Sequence, residues 1–294
     1  MKIATVTPNG ADTSPLIIGK EKGIFDQCGI DLEFASFNTN PDVIRSSTSG
    51  ATNLSGAGPA GAITAMIAGQ DLSIVSGAYQ TSSHTTWVVS PDSPIKTVKD
   101  LAGKKIGVAS PGGPTEAEIR YILEKEGVDV NGVQIVVVGA IQAGLAAMAA
   151  GQIDTTYMGD PTLSTQLAQN AVRVVASVDD YVTTQNTVYV GTTPWVTAHK
   201  AEVDRFLACV AKAQDYVKNN VEEAAQSFAK VGNIDPTVAL AVLKYAVSKN
   251  AFSLGLSQPG IDFTIDQLKL QKAIPADFTK AQLDPLFTNL RTSS

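Results

Sequence analysis

Residues 98–127 read VKDLAGKKIGVASPGGPTEAEIRYILEKEG, and their order decides the fold class. Ile106–Ala109 is a short apolar run between Lys105 and Ser110, the profile of a buried strand. Ser110, Pro111, Gly112, Gly113 and Pro114 make a turn, and Thr115 with Glu118 has the spacing of a capping box that opens a helix. Ile119, Ile122 and Leu123 give the helix an apolar stripe, and Gly127 stands where a C-terminal cap belongs. A strand passing through a glycine-bearing turn onto a helix start is the grammar of an α/β sheet. The helix N-terminus carries unpaired N–H groups and the positive end of the dipole. The turn is therefore either an ordinary βα connection or a cradle for an anion or polar ligand atom.

The same grammar extends to both sides. Lys2–Thr7 alternates as a strand, Ser14-Pro15 starts a helix that stops at Gly23, and Asp31–Phe37 is a second strand. Pro41-Asp42 opens a helix ending at Gly50; a short strand then reaches Leu54, followed by a loop at Ser55–Gly61 and a helix to Ala68. Leu72–Val75 and Thr86–Ser90 read as strands, as do Gln134–Val138, Ile153–Tyr157, Val172–Val175 and Val188–Gly191. Gln142–Ala150 is an alanine-rich helix, and Gly159-Asp160-Pro161 opens another. From Ala201 on only helices are expected. Val203, Phe206, Leu207, Val210 and Val217 mark the buried face of the first, and Asp235-Pro236 starts the second. Thr264 with Gln267 caps a third, and Thr279 with Gln282 a fourth carrying Leu283, Leu286 and Phe287. Gly50–Pro59 and Gly151–Pro161 share one order, helix-end Gly, strand, Gly, Pro, helix, which predicts two similar units.

Composition narrows the function. With 44% hydrophobic and 17% charged residues in 294, the chain is a folded α/β protein of one large domain or two ordinary ones. A net charge of −6 without a basic cluster argues against nucleic acid or an anionic membrane as partner. Nothing approaches 18 uninterrupted apolar residues, so no transmembrane helix is expected. The start, MKIATVTPNG, enters a strand at once, and no signal peptide is read there. Cys28 and Cys209 are too few for a disulfide framework, and two separate buried thiols are expected.

No catalytic set emerges. Gly56-Ala57-Gly58-Pro59-Ala60-Gly61 fits G-x-G-x-x-G, but the next strand runs into Ser76-Gly77-Ala78-Tyr79 without the acidic residue a dinucleotide site needs. No cofactor is expected. His84 and His199 lie far from each other and from any Cys or acidic cluster, so no metal site is expected. There is neither a G-x-S-x-G elbow nor a Walker A loop. Trp87 reads as core, and Trp195 is weighed evenly between core and ligand stacking. Tyr79 ends a strand where a ligand can be touched; Asp160 is a helix N-cap or, in the sharper reading, a ligand or hinge residue.

Three motifs carry a family resemblance over about Thr7–Lys218. Ser14–Phe25, SPLIIGKEKGIF, resembles the P-x-x-x-A-x-E-x-G-x-F opening of periplasmic substrate-binding proteins of ABC transporters. The branch is the one serving sulfonates, taurine, nitrate and thiamine-pyrimidine precursors. Asp100–Val108, DLAGKKIGV, is similar to its D-L-K-G-K-K-I-G-V, and Ala146–Asp154 with Gly159-Asp160-Pro161 is similar to its A-L-x-x-G-x-V-D-A … E-P. Thr52–Gly56 departs from the family's acidic D-F/V-G, and Asp160 stands where Glu is common.

The resemblance implies an α/β, two-lobed type II periplasmic-binding-protein fold with a C-terminal helical extension. Its crossover strands would be Thr86–Ser90 and Val188–Thr192, with lobe one at 1–86 and 192–294 and lobe two at 87–191. Its ligand loops would bring Asn9, Gly10, Asp12, Thr13 and Ser14 together with Ser55, Gly56, Ala57, Tyr79 and Gln80. From lobe two they would add Ser110, Gly113, Pro114, Thr115, Gln142 and Asp160, and Trp195 joins the candidates. The implied function is a non-enzymatic solute receptor of an ABC importer, closing over a small organic anion (sulfonate or carboxylate) or a heterocycle such as a pyrimidine. The implied partners are that ligand and a transporter permease, for a monomer that is periplasmic or lipid-anchored outside the cytoplasm. The rivals are a biosynthetic enzyme on the same fold, in the thiamine-pyrimidine or menaquinone branch, and a ligand-sensing module. The pyrimidine-forming branch carries a cysteine-rich motif that this sequence lacks.

Overall fold

The computed structural model describes residues 1–5, 10–37, 39–81, 85–160, 162–283 and 287; Thr7, Asn9, His84, Pro161 and Leu286 lie outside them. The chain divides into two compact units. Unit 1 comprises Met1–Thr81, Gln185–Ile265 and Asp277–Ser294, and unit 2 comprises Ser82–Thr184 with Asp266–Ala276.

Unit 1 is built on a sheet that has five strands among the described residues, in the order β2-β1-β3-β10-β4. These are β1 (Lys2–Thr5), β2 (Glu33–Ser36), β3 (Leu54–Ala57), β4 (Leu72–Tyr79) and β10 (Thr187–Thr192). β1 pairs in parallel with β2 and β3, while β10 runs antiparallel to β3 and β4, with Val188 opposite Ala57 and Thr192 opposite Leu72. Unit 2 repeats the plan in the order β7-β6-β8-β5-β9, with β5 (Thr86–Val89), β6 (Lys105–Val108), β7 (Gln134–Val137), β8 (Thr155–Met158) and β9 (Arg173–Ser177). Here β5 is the antiparallel fourth strand, with Thr86 opposite both Met158 and Ser177. The echo in the sequence is thus topological: β3 and β8 hold the same place in their sheets. β10 was expected to be a crossover at the end of the segment 87–191. It lies wholly in the first sheet, held by ladders on both sides, so the chain re-enters unit 1 at Gln185.

The helices follow the connections. In unit 1, α1 (Ser14–Glu21) and α2 (Ile24–Gln27) meet at Gly23, whose φ of 68° is the left-handed turn that glycine allows. α3 (Asn40–Thr48) and α4 (Pro59–Ile67) flank β3. In unit 2, α5 (Pro114–Lys125), α6 (Ile141–Ala149) and α7 (Thr162–Ala168) follow β6, β7 and β8. Then come α8 (Thr193–Ala198), α9 (Lys200–Asn219), α10 (Val221–Gly232), α11 (Pro236–Ser248) and α12 (Gln258–Leu270). α11 starts as its sequence predicts, with the Asp235 carboxylate accepting from the N–H groups of Thr237 and Val238. Two expected starts differ. Thr264 is interior to α12, where its hydroxyl bonds Gly260 O, because Pro259 already opens the helix. Thr279 N does reach Gln282 Oε1, but the turn that follows, Lys280–Leu283, is 3-10.

The two cysteines are joined. Cys28 follows α2 and Cys209 lies on the face of α9 that buries Val203, Phe206 and Val210. Phe25 stacks on Phe206 at 6.2 Å between ring centres, which brings the two backbones to a Cα–Cα distance of 6.4 Å. The expectation of separate thiols is corrected by this packing, which joins residues 181 apart in sequence.

Candidate ligand-binding site

In open α/β sheets ligands bind at the carboxyl ends of the parallel strands. In unit 2 that edge carries the turn from β6 into α5. The helix starts two residues earlier than its capping-box spacing predicts, with Gly113 as N-cap and Pro114 inside the first turn. Thr115 is therefore within the helix, and its Oγ1 accepts from Ala109 N at 2.9 Å, tying the helix start to the strand end. Gly113 N donates to Ser110 O, and Gly112 N to Glu116 Oε2 at 2.9 Å. Glu116 also pairs with Arg120 at 2.8 Å. Burial works against its charge, but the Gly112 N–H and Arg120 outweigh it and hold the carboxyl below the usual range. The bracing leaves Ser110 exposed at the tip, and the N–H groups of Thr115 and Glu116 without a partner inside the helix.

The next two loops sit on the same edge. Tyr157, from β8, donates its hydroxyl to Gly139 O at 2.5 Å and so anchors the turn into α6, where Gly139 takes φ 71°. Burial raises the Tyr157 pKa, keeping the phenol a donor. Gln142 is exposed in the first turn of α6. Asp160 follows β8, and its Oδ1 accepts from Ser164 N and Ser164 Oγ, which ties it to the first turn of α7. Ser110, Gly113, Pro114, Thr115, Gln142 and Asp160 thus all fall at one edge of unit 2.

The candidates in unit 1 divide. Gly10 caps the 3-10 turn Ala11–Thr13, and the Thr13 and Ser14 hydroxyls bond Gly10 O and Ala11 O. Asp12 accepts from Thr187 Oγ1 at 3.0 Å, at the start of β10. Tyr189, buried two residues on, has its pKa raised by burial and then by the Asp12 charge. Ser55, Gly56 and Ala57, read from the sequence as a loop, are the buried strand β3. The Ser55 hydroxyl reaches Val43 O at 2.7 Å and Ser47 Oγ at 3.0 Å, so it fastens α3 to the sheet. Tyr79 is a buried strand residue against Phe252, with ring centres 5.6 Å apart. Gln80 Nε2 donates to Gly255 O at 2.7 Å. Trp195 stands apart from these: it follows Thr192, which pairs with Leu72 at the start of β4, and so lies at the opposite edge of the sheet. There it stacks on His199 at 4.5 Å. Asn9 is outside the described residues.

Sequence reasoning missed two residues. Gln185 is buried where the chain re-enters unit 1. Its Nε2 donates to Tyr79 O and Thr187 O, and its Oε1 accepts from Ser257 N at 2.9 Å. Nothing in its spacing marks it, because its partners come from three separate segments. Glu118 was assigned to the capping box by its distance from Thr115, but it faces inward and bonds Thr85.

A family model described as NMT1/THI5 like matches residues 11–224. The chain belongs to the NMT1/THI5-like family. Among relatives, a Bacillus subtilis (strain 168) protein named for binding aliphatic sulfonates is 27% identical over 235 residues, 79% of this chain and 70% of its own. The periplasmic aliphatic sulphonate binding protein SsuA from Escherichia coli superposes with a TM-score of 0.70 at 20% identity, covering 92% of this chain and 90% of its own. The alkanesulfonate-binding protein SsuA from Xanthomonas axonopodis pv. citri, bound to MOPS, gives 0.66 at 22% identity, with 94% of each chain covered. This member of the family has the periplasmic-binding-protein fold, as the resemblance implied. Among the described residues no helix is long and apolar enough to cross a membrane.

Proposed function

We propose that this chain is the solute-binding component of an ABC-type importer and that its ligand is a small organic anion, a sulfonate before a carboxylate. The observation that carries the reading is the Ser110–Thr115 turn, a braced, partly exposed loop at the dipole-positive start of a twelve-residue helix on the ligand edge of unit 2. A sulfonate is anionic at every physiological pH and needs only donors, which N–H groups and hydroxyls supply without a lysine or arginine. The sulfonate specificity named for the relatives supports the same choice, whereas the thiamine-pyrimidine alternative is carried by the family's name alone.

A permease partner follows from the importer reading, and the functional form is a monomer. The Cys28–Cys209 disulfide supports an oxidising compartment outside the cytoplasm. The test is a panel of straight-chain alkanesulfonates, matching carboxylates and pyrimidines, measured by thermal shift and calorimetry. At least one sulfonate should raise Tm and bind with micromolar affinity, about 8 kcal/mol. A panel in which no anion stabilises the protein, or in which pyrimidines alone do, overturns the reading.

A further inference from the structure

Glu118 lies on the inward stripe of α5 with Thr115, Ile119 and Ile122, at the i, i+3, i+4, i+7 spacing of one helix face. As a residue it is half-buried, but its Oε2 is shut off from solvent and has no protein partner among the described residues. The hydroxyl of Thr85 hydrogen-bonds the same carboxyl. Thr85 immediately precedes β5, whose first residue pairs with Met158 at the end of β8 and Ser177 at the end of β9. Glu118 is therefore held at the carboxyl edge of the unit 2 sheet, the edge that carries the proposed anion turn. It sits four residues, about 6 Å of axial rise, inside the helix whose first residue is Pro114.

Burial dominates the surroundings of this acid and pushes it up to about 7; Thr85 opposes that, and Asp179 adds to it. Asp179 is the charged group facing it from the turn Val178–Asp180, beside the exposed Asp180. The turn Val98–Leu101 also packs on α5 and brings Lys99 and Asp100, the latter held by the N–H groups of Lys96 and Thr97. On α5 itself Glu116 and Arg120 neutralise each other. Among the described residues no cation is paired with Glu118.

We propose that Glu118 is a proton-linked positioning residue for the anion: protonated, it leaves the positive end of α5 to the ligand, and ionised, it sets a negative charge beneath that end and expels the ligand. The proposal rests on the anionic-ligand reading above. The sign follows from linkage. A bound anion makes ionisation of Glu118 harder, so binding takes up a proton near neutrality, and affinity is greatest at low pH and falls as pH rises past 7. For like charges within one to two helical turns at a partly buried site the expected loss is about tenfold.

The experiment uses ethanesulfonate and 1-butanesulfonate, whose charge is constant from pH 5.5 to 8.5. Calorimetry on the full chain would give Kd at both limits, and repetition in buffers of different ionisation enthalpy would give the protons taken up. Wild type should weaken about tenfold from the lower limit to the upper and take up a fraction of a proton near pH 7. Glu118→Gln, neutral at every pH, should bind with a Kd constant within about twofold. His84→Gln should keep the wild-type slope. A flat wild-type profile without proton uptake, or a slope that survives Glu118→Gln or vanishes in His84→Gln, overturns the assignment of Glu118 while leaving the sulfonate reading intact. Failure of both probes, and of the wider anion panel, to bind at any pH removes the reading itself and this inference with it. If Glu118→Gln does not fold, the proton uptake and pH slope of wild type with the His84→Gln control still decide.

Discussion

Gln185 shows how much one side chain can organise. Its amide satisfies the carbonyls of Tyr79 and Thr187 and the N–H of Ser257, gathering the ends of β4, the start of β10 and the entry to α12. Gln185→Leu fills similar space but leaves these backbone groups to find other partners, and urea unfolding should show a loss of about 2–4 kcal/mol. Gln185→Glu should be nearly as costly, because a carboxylate cannot donate to the two carbonyls. Glu118 makes a second prediction at this scale. Burial pushes its folded pKa up to about 7, above the ordinary glutamate value of 4.5, so between these the native state holds a proton that the unfolded chain has released. Stability should then fall as pH rises from about 4.5 to 7, by up to roughly 3 kcal/mol, and level off above. Denaturation midpoints of wild type and Glu118→Gln at pH 5 and pH 8 check it, since the variant should lack this part of the slope.

At the scale of elements, the helix start at Pro114 and the strand at Leu54 show what a sequence carries and what it does not. Strand, glycine turn and helix were readable at 106–125, because apolar runs and proline obey local rules. The cap differs by two residues: Thr115 and Glu118 have the right spacing, but Pro114 is itself suited to the first turn and moves the boundary to Gly113. Ser55–Ala57 looked like a loop because its residues are small. They form a buried strand all the same, and even a Cβ on Gly56 would meet only ordinary contacts, 3.6 Å from Ala4 O and 3.7 Å from the Tyr189 ring. β10 was readable as a strand, but its sheet was not, since antiparallel insertion from a distant segment leaves no local pattern. Two outcomes follow. Gly77→Ala would place a Cβ 2.0 Å from Gly255 O, a backbone atom, and should lower stability by more than about 2 kcal/mol with a reduced Tm. At Gly113 the nearest atom is the rotatable Ser110 Oγ at 2.1 Å, so Gly113→Ala should fold but displace that hydroxyl. Ethanesulfonate binding should weaken about fivefold or more in Gly113→Ala and in Ser110→Ala, with Tm nearly unchanged, a loss near 1 kcal/mol.

Across the whole molecule, the two sheets share one strand order, each completed by a strand running against the rest. The sequence showed this only as the short echo around β3 and β8. Long-range closure is carried instead by the Cys28–Cys209 bond, whose pairing no spacing could reveal because its partners meet through the packing of Phe25 on Phe206. Reduction should lower Tm and cost about 2–5 kcal/mol, measured by unfolding with and without reductant. The bond has a further, topological effect. The whole run Ser82–Thr184 lies inside the covalent loop from Cys28 to Cys209. A single protease cut anywhere in that run therefore yields two fragments that travel as one molecule, migrating as one band on a non-reducing gel and separating only when thiol is added.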